Sequence, residues 1–131
     1  LQENKITRVG GNEEIKINVR VLAATNKNLL EKIDSNQFRS DLYHRLNVIS
    51  IQVPSLNQRI EDIPTLTNYF IKRISMEYGQ PIKGIDMGAI ALLQKHKWSG
   101  NIRELRNIVE RLLILSGESI HSDDVKSALL M

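Results

Sequence analysis

The chain contains no cysteine among its 131 residues. This absence excludes disulfide bonds and thiolate metal sites, and it is typical of proteins from a reducing cytosol. The sequence also lacks a signal peptide and any apolar run long enough to span a membrane, so we expect a cytoplasmic protein without a membrane partner. The three histidines are scattered and do not have the spacing of metal ligands, so no metal site is expected within the chain.

An excess of basic charge is also absent. The net charge is only +3 and no basic run of five or more residues occurs, so the charge does not by itself indicate nucleic-acid binding. Hydrophobic residues make up 41% of the chain and charged residues 25%, as in ordinary globular domains. Because the chain opens at Leu1 without an initiator methionine, we interpret it as part of a longer protein.

The pattern of residues 1–55 predicts the end of an α/β fold. Residues 19–24 are almost continuously apolar, which is typical of a strand buried on both faces. Residues 48–53 predict a second strand, which ends at Pro54. The other elements expected in this part are extended segments at Ile6 to Val9 and around Ile15 and Ile17, a short helix at Leu29 to Ile33, and a helix starting near Ser40.

After Pro54 the apolar residues follow helical spacing, so residues 56–131 are expected to form an all-helical unit. Four helices are expected, beginning near Asp62, Asp86, Asn101 and Ser122. For the third of these, Asn101 is the expected N-cap and Glu104 completes a capping box. Its expected buried face includes Leu112 and, at the edge, Leu115.

Thr25 and Asn26 follow the strand predicted at residues 19–24. In open α/β sheets, ligands bind beyond the carboxyl ends of the strands, so this polar pair can orient a water molecule or a phosphate oxygen. The alternative is an ordinary strand-to-helix turn, in which threonine and asparagine are common.

Arg39 and Arg45 lie six positions apart around a predicted helix start, with Ser40 as its expected N-cap. Asp41 precedes Arg45 by four positions, so we expect these two side chains to pair on one helix face. The alternative to a functional role is a solvated helix face with one surface ion pair.

Arg103 falls in the first turn of the helix expected to start at Asn101. A cation there opposes the helix dipole, whereas the free backbone amides of a helix N-terminus attract anions. An arginine at this place therefore suits a phosphate group, and the alternative is a solvated arginine paired with a neighbour.

These three elements suit phosphate, but other parts of a nucleotide site are missing from the sequence. There is no Gly-x-x-x-x-Gly-Lys-Ser/Thr loop and no apolar strand ending in paired acids for Mg²⁺. The chain therefore carries about half of the residues that a nucleotide site needs.

Several motifs of the chain resemble those of one protein family. The matching motifs are Arg8-Val9-Gly10-Gly11, residues 19–26, residues 38–48, Glu61-Asp62-Ile63-Pro64 and residues 98–105. In this order they resemble the AAA+ ATPase domain of sigma-54-dependent, NtrC-like enhancer-binding transcriptional activators. The resemblance implies the end of an AAA+ core over residues 1–55 and a helical lid over residues 56–131.

The resemblance also implies roles for individual residues. Thr25 and Asn26 correspond to sensor I, Arg39 and Arg45 to paired arginine fingers that act across a subunit interface, and Arg103 to the sensor II arginine. It further implies ATP with Mg²⁺ bound mainly by residues upstream of this chain, and self-association as a hexameric or heptameric ring. The implied partners are sigma-54 RNA polymerase and enhancer DNA, the latter through a domain absent here.

The chain departs from the family pattern in two places. Ser99 stands where the family usually has proline in Trp-Pro-Gly-Asn, and residues 54–59 replace Pro-Pro-Leu-Arg-Glu-Arg with Pro-Ser-Leu-Asn-Gln-Arg. We expect these changes to loosen the link between core and lid. The residues named above as sensors and arginine fingers are all retained.

Our interpretation is therefore part of an ATPase that remodels the closed complex of sigma-54 RNA polymerase, with this chain alone expected to be inactive. One alternative is another AAA+ protein, such as a helicase loader or a protease component. The other is a non-enzymatic helical module of a transcription regulator, against which the weak net charge argues.

Overall fold

The structure, a computed structural model, describes residues 5–130, which fall into two compact units that divide between Gln52 and Val53. In the first unit, strands β1 (Lys5–Thr7) and β2 (Glu14–Lys16) form an antiparallel hairpin in which Ile6 lies opposite Ile15. The connecting turn contains Gly10 with a φ of 81°, a left-handed backbone that glycine adopts without steric cost. The hairpin confirms the extended segments predicted near Ile6 and Ile15, although Val9 and Ile17 lie outside the strands.

Two short helices follow, α1 (Leu29–Asp34) and α2 (Ser40–Leu46). The side chain of Asn28 caps α1 by accepting a hydrogen bond from the backbone N–H of Leu30 at 3.2 Å. Both helices are confirmed, but Ser40 is not the N-cap of α2. That position is held by Arg39, whose side chain makes no capping hydrogen bond.

The two strands predicted at residues 19–24 and 48–53 are wrong for this structure. Neither segment pairs with another part of residues 5–130, and their apolar side chains are open to solvent, with Leu22 84% and Ile51 83% exposed. The physical reason is that a strand needs a neighbour to accept and donate its ladder hydrogen bonds, and the described residues supply none to these segments. An apolar, β-branched pattern shows which side chains a neighbouring strand or helix would cover. It does not show that such a neighbour is present.

The second unit is built from four α-helices among its described residues. They are α3 (Ile63–Glu77), α4 (Met87–Lys95), α5 (Asn101–Leu115) and α6 (Ser122–Leu129). Two single turns of 3₁₀ helix, Leu56–Gln58 and Ile60–Asp62, precede them. A two-residue parallel pair, β3 (Gly84–Ile85) with β4 (Ser119–Ile120), joins the connections before α4 and α6. The four helices were predicted correctly.

The core of the second unit contains the fully buried side chains of all four helices together with Leu56, Trp98 and Ile120. The helix ends follow from local chemistry. Asp86 caps α4 by accepting from the N–H of Ala89 at 2.6 Å, and Lys83 donates to the carbonyls of Leu113 and Ser116 at the end of α5. A cation at a helix C-terminus satisfies free carbonyls and suits the dipole.

The start of α5 differs from the prediction. Asn101 is the first residue of the helix rather than its capping side chain, and its backbone has a left-handed φ of 53°. Gly100 occupies the N-cap position, and Glu104 reaches back to accept from the Gly100 N–H at 2.7 Å. The capping box predicted between Asn101 and Glu104 is therefore wrong, and the Asn101 side chain bonds elsewhere.

Candidate functional site

Thr25 and Asn26 lie in an exposed bend before α1, not at the end of a paired strand. The Thr25 Oγ1 atom accepts a hydrogen bond from the backbone N–H of Lys27 at 3.0 Å, which fixes a local turn. Within residues 5–130, the Asn26 side chain makes no hydrogen bond. The pair is thus a local turn that presents an amide side chain to solvent.

The Arg39 guanidinium forms a two-pronged pair with the Asp41 carboxylate. Its Nε donates to Oδ1 at 3.0 Å and its Nη2 donates to Oδ2 at 2.8 Å. This corrects the predicted pairing of Asp41 with Arg45, because no ion pair joins those two side chains in the described structure. The extended backbone at Arg39, with φ −76° and ψ 130°, places its side chain outside the helix and beside the first turn that carries Asp41.

The pair changes the protonation behaviour of both groups. The hydrogen bond from Arg39 is the largest cause that lowers the pKa of Asp41 below its usual range. In return, the hydrogen bond to Asp41 and then its negative charge raise the pKa of Arg39. The Arg39 side chain is nevertheless 81% exposed, so solvent reaches the guanidinium around this pair.

Arg45 lies in the last turn of α2, where a cation suits the helix dipole. It is exposed and makes no ion pair within residues 5–130. Arg45 borders a groove of about 420 Å³ that also includes Lys5 and Arg20, whereas Arg39 borders a different groove of about 450 Å³ beside Phe38. The structure therefore does not bring the two arginines to one groove.

Arg103 lies in the first turn of α5, as predicted, with an exposed side chain and no ion pair to any described residue. It borders a groove of about 480 Å³ in the second unit. Asn107 and Arg111 follow at four-residue steps on the same helix face and border the same groove. Arg111 also donates to the Ala128 carbonyl at 2.7 Å, which fastens the end of α6 to this face.

The acidic member of this groove, Glu104, is held away from Arg103 by other partners. Its Oε2 accepts from the Gly100 N–H at 2.7 Å, and its Oε1 lies 3.2 Å from Nε2 of His96. Burial is the largest single influence and raises the Glu104 pKa, but these hydrogen bonds outweigh it and leave the pKa below its usual value. Glu104 is therefore ionised, and both of its carboxylate oxygens contact other partners, so it does not neutralise Arg103.

Sequence reasoning missed Asn107 and Arg111 in the groove and the contacts of Asn57 near it. The spacing of four and eight positions from Arg103 was the available signal for the first two. Asn57 was noticed only as a departure from a pattern, although its side chain bonds both backbone groups of Trp98 at 2.9 Å. Asn57 thus bonds the segment that precedes α5 within the second unit, and the looser link expected between core and lid stays a prediction.

Within residues 5–130, no helix is long and apolar enough to cross a membrane.

In the comparison with known proteins, each of the two units matches a different family model. Residues 57–131 match the AAA+ ATPase lid domain, and residues 1–52 match the sigma-54 interaction domain. The Nif-specific regulatory protein of Azotobacter vinelandii is 44% identical over 127 residues, which is 97% of this chain and 24% of that protein. The transcriptional regulatory protein ZraR of Escherichia coli K12 is 44% identical over 130 residues, covering 98% of this chain and 30% of its own length.

A solved structure of NtrX from Brucella abortus in complex with ATP superposes with a TM-score of 0.86. It is 42% identical and covers 93% of this chain and 29% of its own. The chain thus spans between about a quarter and a third of the length of the relatives it matches. These matches confirm the resemblance and the fold class expected from the motifs. The chain belongs to the AAA+ ATPase family of sigma-54-dependent transcriptional activators.

Proposed function

We propose that the protein carrying this chain hydrolyses ATP in a ring of subunits and uses the energy to remodel the closed complex of sigma-54 RNA polymerase. The observation that carries the proposal is the match of residues 1–52 to the sigma-54 interaction domain, followed by a match to the AAA+ lid. Support for the nucleotide comes from NtrX of Brucella abortus, whose solved structures hold ATP and ADP.

In this proposal, Arg103 contacts phosphate oxygens of the nucleotide bound to its own subunit. Its exposed guanidinium stands at the N-terminus of α5 without a competing carboxylate, because Glu104 is bonded to Gly100 and His96. The positive end of the helix dipole and the arginine charge act on the same anion. Arg103 would therefore both bind phosphate and report its presence to the helical unit.

Arg39 and Arg45 serve the nucleotide of the neighbouring subunit. Charge stabilisation by an arginine supplied in trans can be worth roughly 10³–10⁵ in phosphoryl-transfer rate. Arg39 is already arranged for two-pronged binding of an anion, since Asp41 occupies both prongs of its guanidinium. In the assembled ring, phosphate oxygens would take the place of the Asp41 carboxylate.

Asn26, positioned by the Thr25 turn, would orient the attacking water beside the terminal phosphate. Its side-chain amide both donates and accepts hydrogen bonds, as this role requires. Residues 5–130 contain no group of three or more histidine, cysteine, aspartate or glutamate side chains that could hold a metal ion. These described residues do not form a Mg²⁺ site by themselves.

The proposal also includes a ring of six or seven subunits. It further includes binding to enhancer DNA through another domain and a cytoplasmic location. Its test is ATP turnover and sigma-54-dependent open-complex formation by the full-length protein and its Arg103→Ala variant. We expect the variant to lose nucleotide affinity or to separate binding from open-complex formation. Wild-type affinity, turnover and open-complex formation in this variant would reduce Arg103 to an ordinary surface residue.

A further inference from the structure

The connection between α4 and α5 leads directly into the helical turn that carries Arg103. At its centre, Trp98 is fully buried, and its indole Nε1 donates to the carbonyl of Leu93 at 3.0 Å. The ring of His96 packs edge-on against it, with the ring centres 4.7 Å apart. This connection is therefore part of the core rather than a free surface loop.

Two asparagines fasten this connection to the start of the second unit. Asn57 Nδ2 donates to the Trp98 carbonyl and Asn57 Oδ1 accepts from the Trp98 N–H, both at 2.9 Å. Asn101 Oδ1 accepts from the backbone N–H of Leu56 at 2.8 Å. Three hydrogen bonds thus join residues that are 41 and 45 positions apart in the sequence.

Both sides of this contact are held by further hydrogen bonds. On one side, Ser55 and Gln58 close a capping box around the single turn Leu56–Gln58. On the other, the Glu104 carboxylate holds the Gly100 N–H. Asn101 adopts a left-handed φ of 53°, which asparagine tolerates better than most residues and which aims its side chain at Leu56. The turn at residues 56–58 and the first turn of α5 are consequently joined by hydrogen bonds.

We propose that Asn57 and Asn101 are positioning residues for Arg103. They fix the first turn of α5 to residues 55–58, so that the Arg103 guanidinium is presented to the nucleotide phosphates in one orientation. Residues 55–58 lie near the start of the second unit, and the hydrogen bonds of Asn57 and Asn101 pass a displacement of this segment to the first turn of α5. This inference rests on the proposed phosphate contact of Arg103.

The test is the steady-state ATPase activity of the full-length protein with Asn57→Ala. Loss of both bonds to Trp98 should lower kcat/KM by about three- to thirtyfold, the range expected for residues that transmit coupling. Asn68→Ala is the matched control, because Asn68 lies exposed on α3 and, among the described residues, donates only to the Pro64 carbonyl. The control should stay within about twofold of wild type, as expected for a distant, independent site.

A double-mutant cycle with Arg103→Ala separates positioning from a general structural role. If Asn57 acts through Arg103, adding Asn57→Ala to Arg103→Ala should cost no more than about twofold. An undiminished loss in that background would show that Asn57 acts elsewhere and would overturn the proposal. If Arg103→Ala is impaired while Asn57→Ala equals wild type, the positioning role alone fails; if Arg103→Ala itself equals wild type, the proposed phosphate contact fails.

Two further measurements cover the case in which Asn57→Ala folds poorly. Asn101→Gly removes the other side chain while keeping a residue that accepts a left-handed backbone, and it should reproduce the loss. In the unaltered protein, the amide protons of Leu56 and Trp98 should exchange slowly with solvent, because both are bonded by these asparagines. Exchange of both amides at the rate of unprotected amides would contradict the proposal.

Discussion

Two leucines of α5 provide a matched pair for testing how the second unit is held together. Leu112 and Leu115 were both expected on the buried face of this helix, but only Leu112 is fully buried, whereas Leu115 is 53% exposed. Leu112→Ala leaves a cavity among close-packed side chains. Leu115→Ala removes the same atoms from a place that water already reaches.

The expected free energies follow from this difference in burial. Truncation of a fully buried leucine costs about 2–5 kcal/mol of unfolding free energy, because the lost transfer energy and the remaining cavity add. The exposed Leu115 leaves no closed cavity, so its truncation should cost less than about 1 kcal/mol. For a unit of this size, about 1 kcal/mol corresponds to a shift of roughly 4–8 °C in Tm. Leu112→Ala should therefore melt at least about 8 °C lower than wild type.

The assay is urea and thermal unfolding of the 131-residue chain, followed by far-UV circular dichroism, because most of its helix lies in the second unit. Both variants should keep the wild-type m-value, so that midpoint shifts report stability. Equal shifts for the two variants would refute the assignment of the α5 face. A larger shift for Leu115→Ala would show that the helix is rotated relative to the core.

Three further predictions concern the site. The 131-residue chain should bind Mg-ATP weakly or not at all, because its sequence lacks the phosphate loop; micromolar affinity in a calorimetric titration would contradict this. The Glu104 pKa is below its usual value in the folded protein, so its stabilising contribution is complete above the unfolded pKa and is lost as pH falls through the folded value. Glu104→Gln should flatten the decline in stability between about pH 5 and pH 3, and an unchanged acid slope would disprove this contribution. Asp41→Asn should lower ATP turnover of the full-length protein less than Arg39→Ala does, since it removes the partner that orients Arg39 but keeps the positive charge of Arg39. Equal losses would place Asp41 itself in the chemistry.

The helices of the second unit could be predicted because their determinants are local. Apolar residues recur at helical spacing, Asp86 stands at a capping position, and Gly79 adopts the left-handed φ of 62° that ends α3. The strands predicted at residues 19–24 and 48–53 depend instead on a partner strand. Sequence pattern reports only that the side chains are suited to burial, so it could not show whether a ladder forms.

Side-chain partners were predicted less well than helices. The rule of four-residue spacing paired Asp41 with Arg45, but Arg39 lies closer, because its extended N-cap backbone brings the guanidinium beside the first turn. Asparagine is a residue type that favours the N-cap position, yet Asn101 Oδ1 accepts a hydrogen bond from the N–H of Leu56, 45 positions away. Contacts over such distances depend on tertiary packing, and a single sequence carries no local signal for them.

The placement of Arg103 was correct because it needed only the start of α5. The role proposed for Arg39 and Arg45 involves the nucleotide of a second subunit, so it is tested with mixed subunits.

The most direct measurement of that role is ATP turnover by mixed rings of the full-length protein. One subunit carries Arg39→Ala, and the other lacks the phosphate-loop lysine outside this chain; each alone should be nearly inactive. When they are mixed, some interfaces combine an intact nucleotide pocket with an intact arginine, and turnover should partly return. If mixed rings form and no mixture recovers any turnover, Arg39 does not act across the subunit interface.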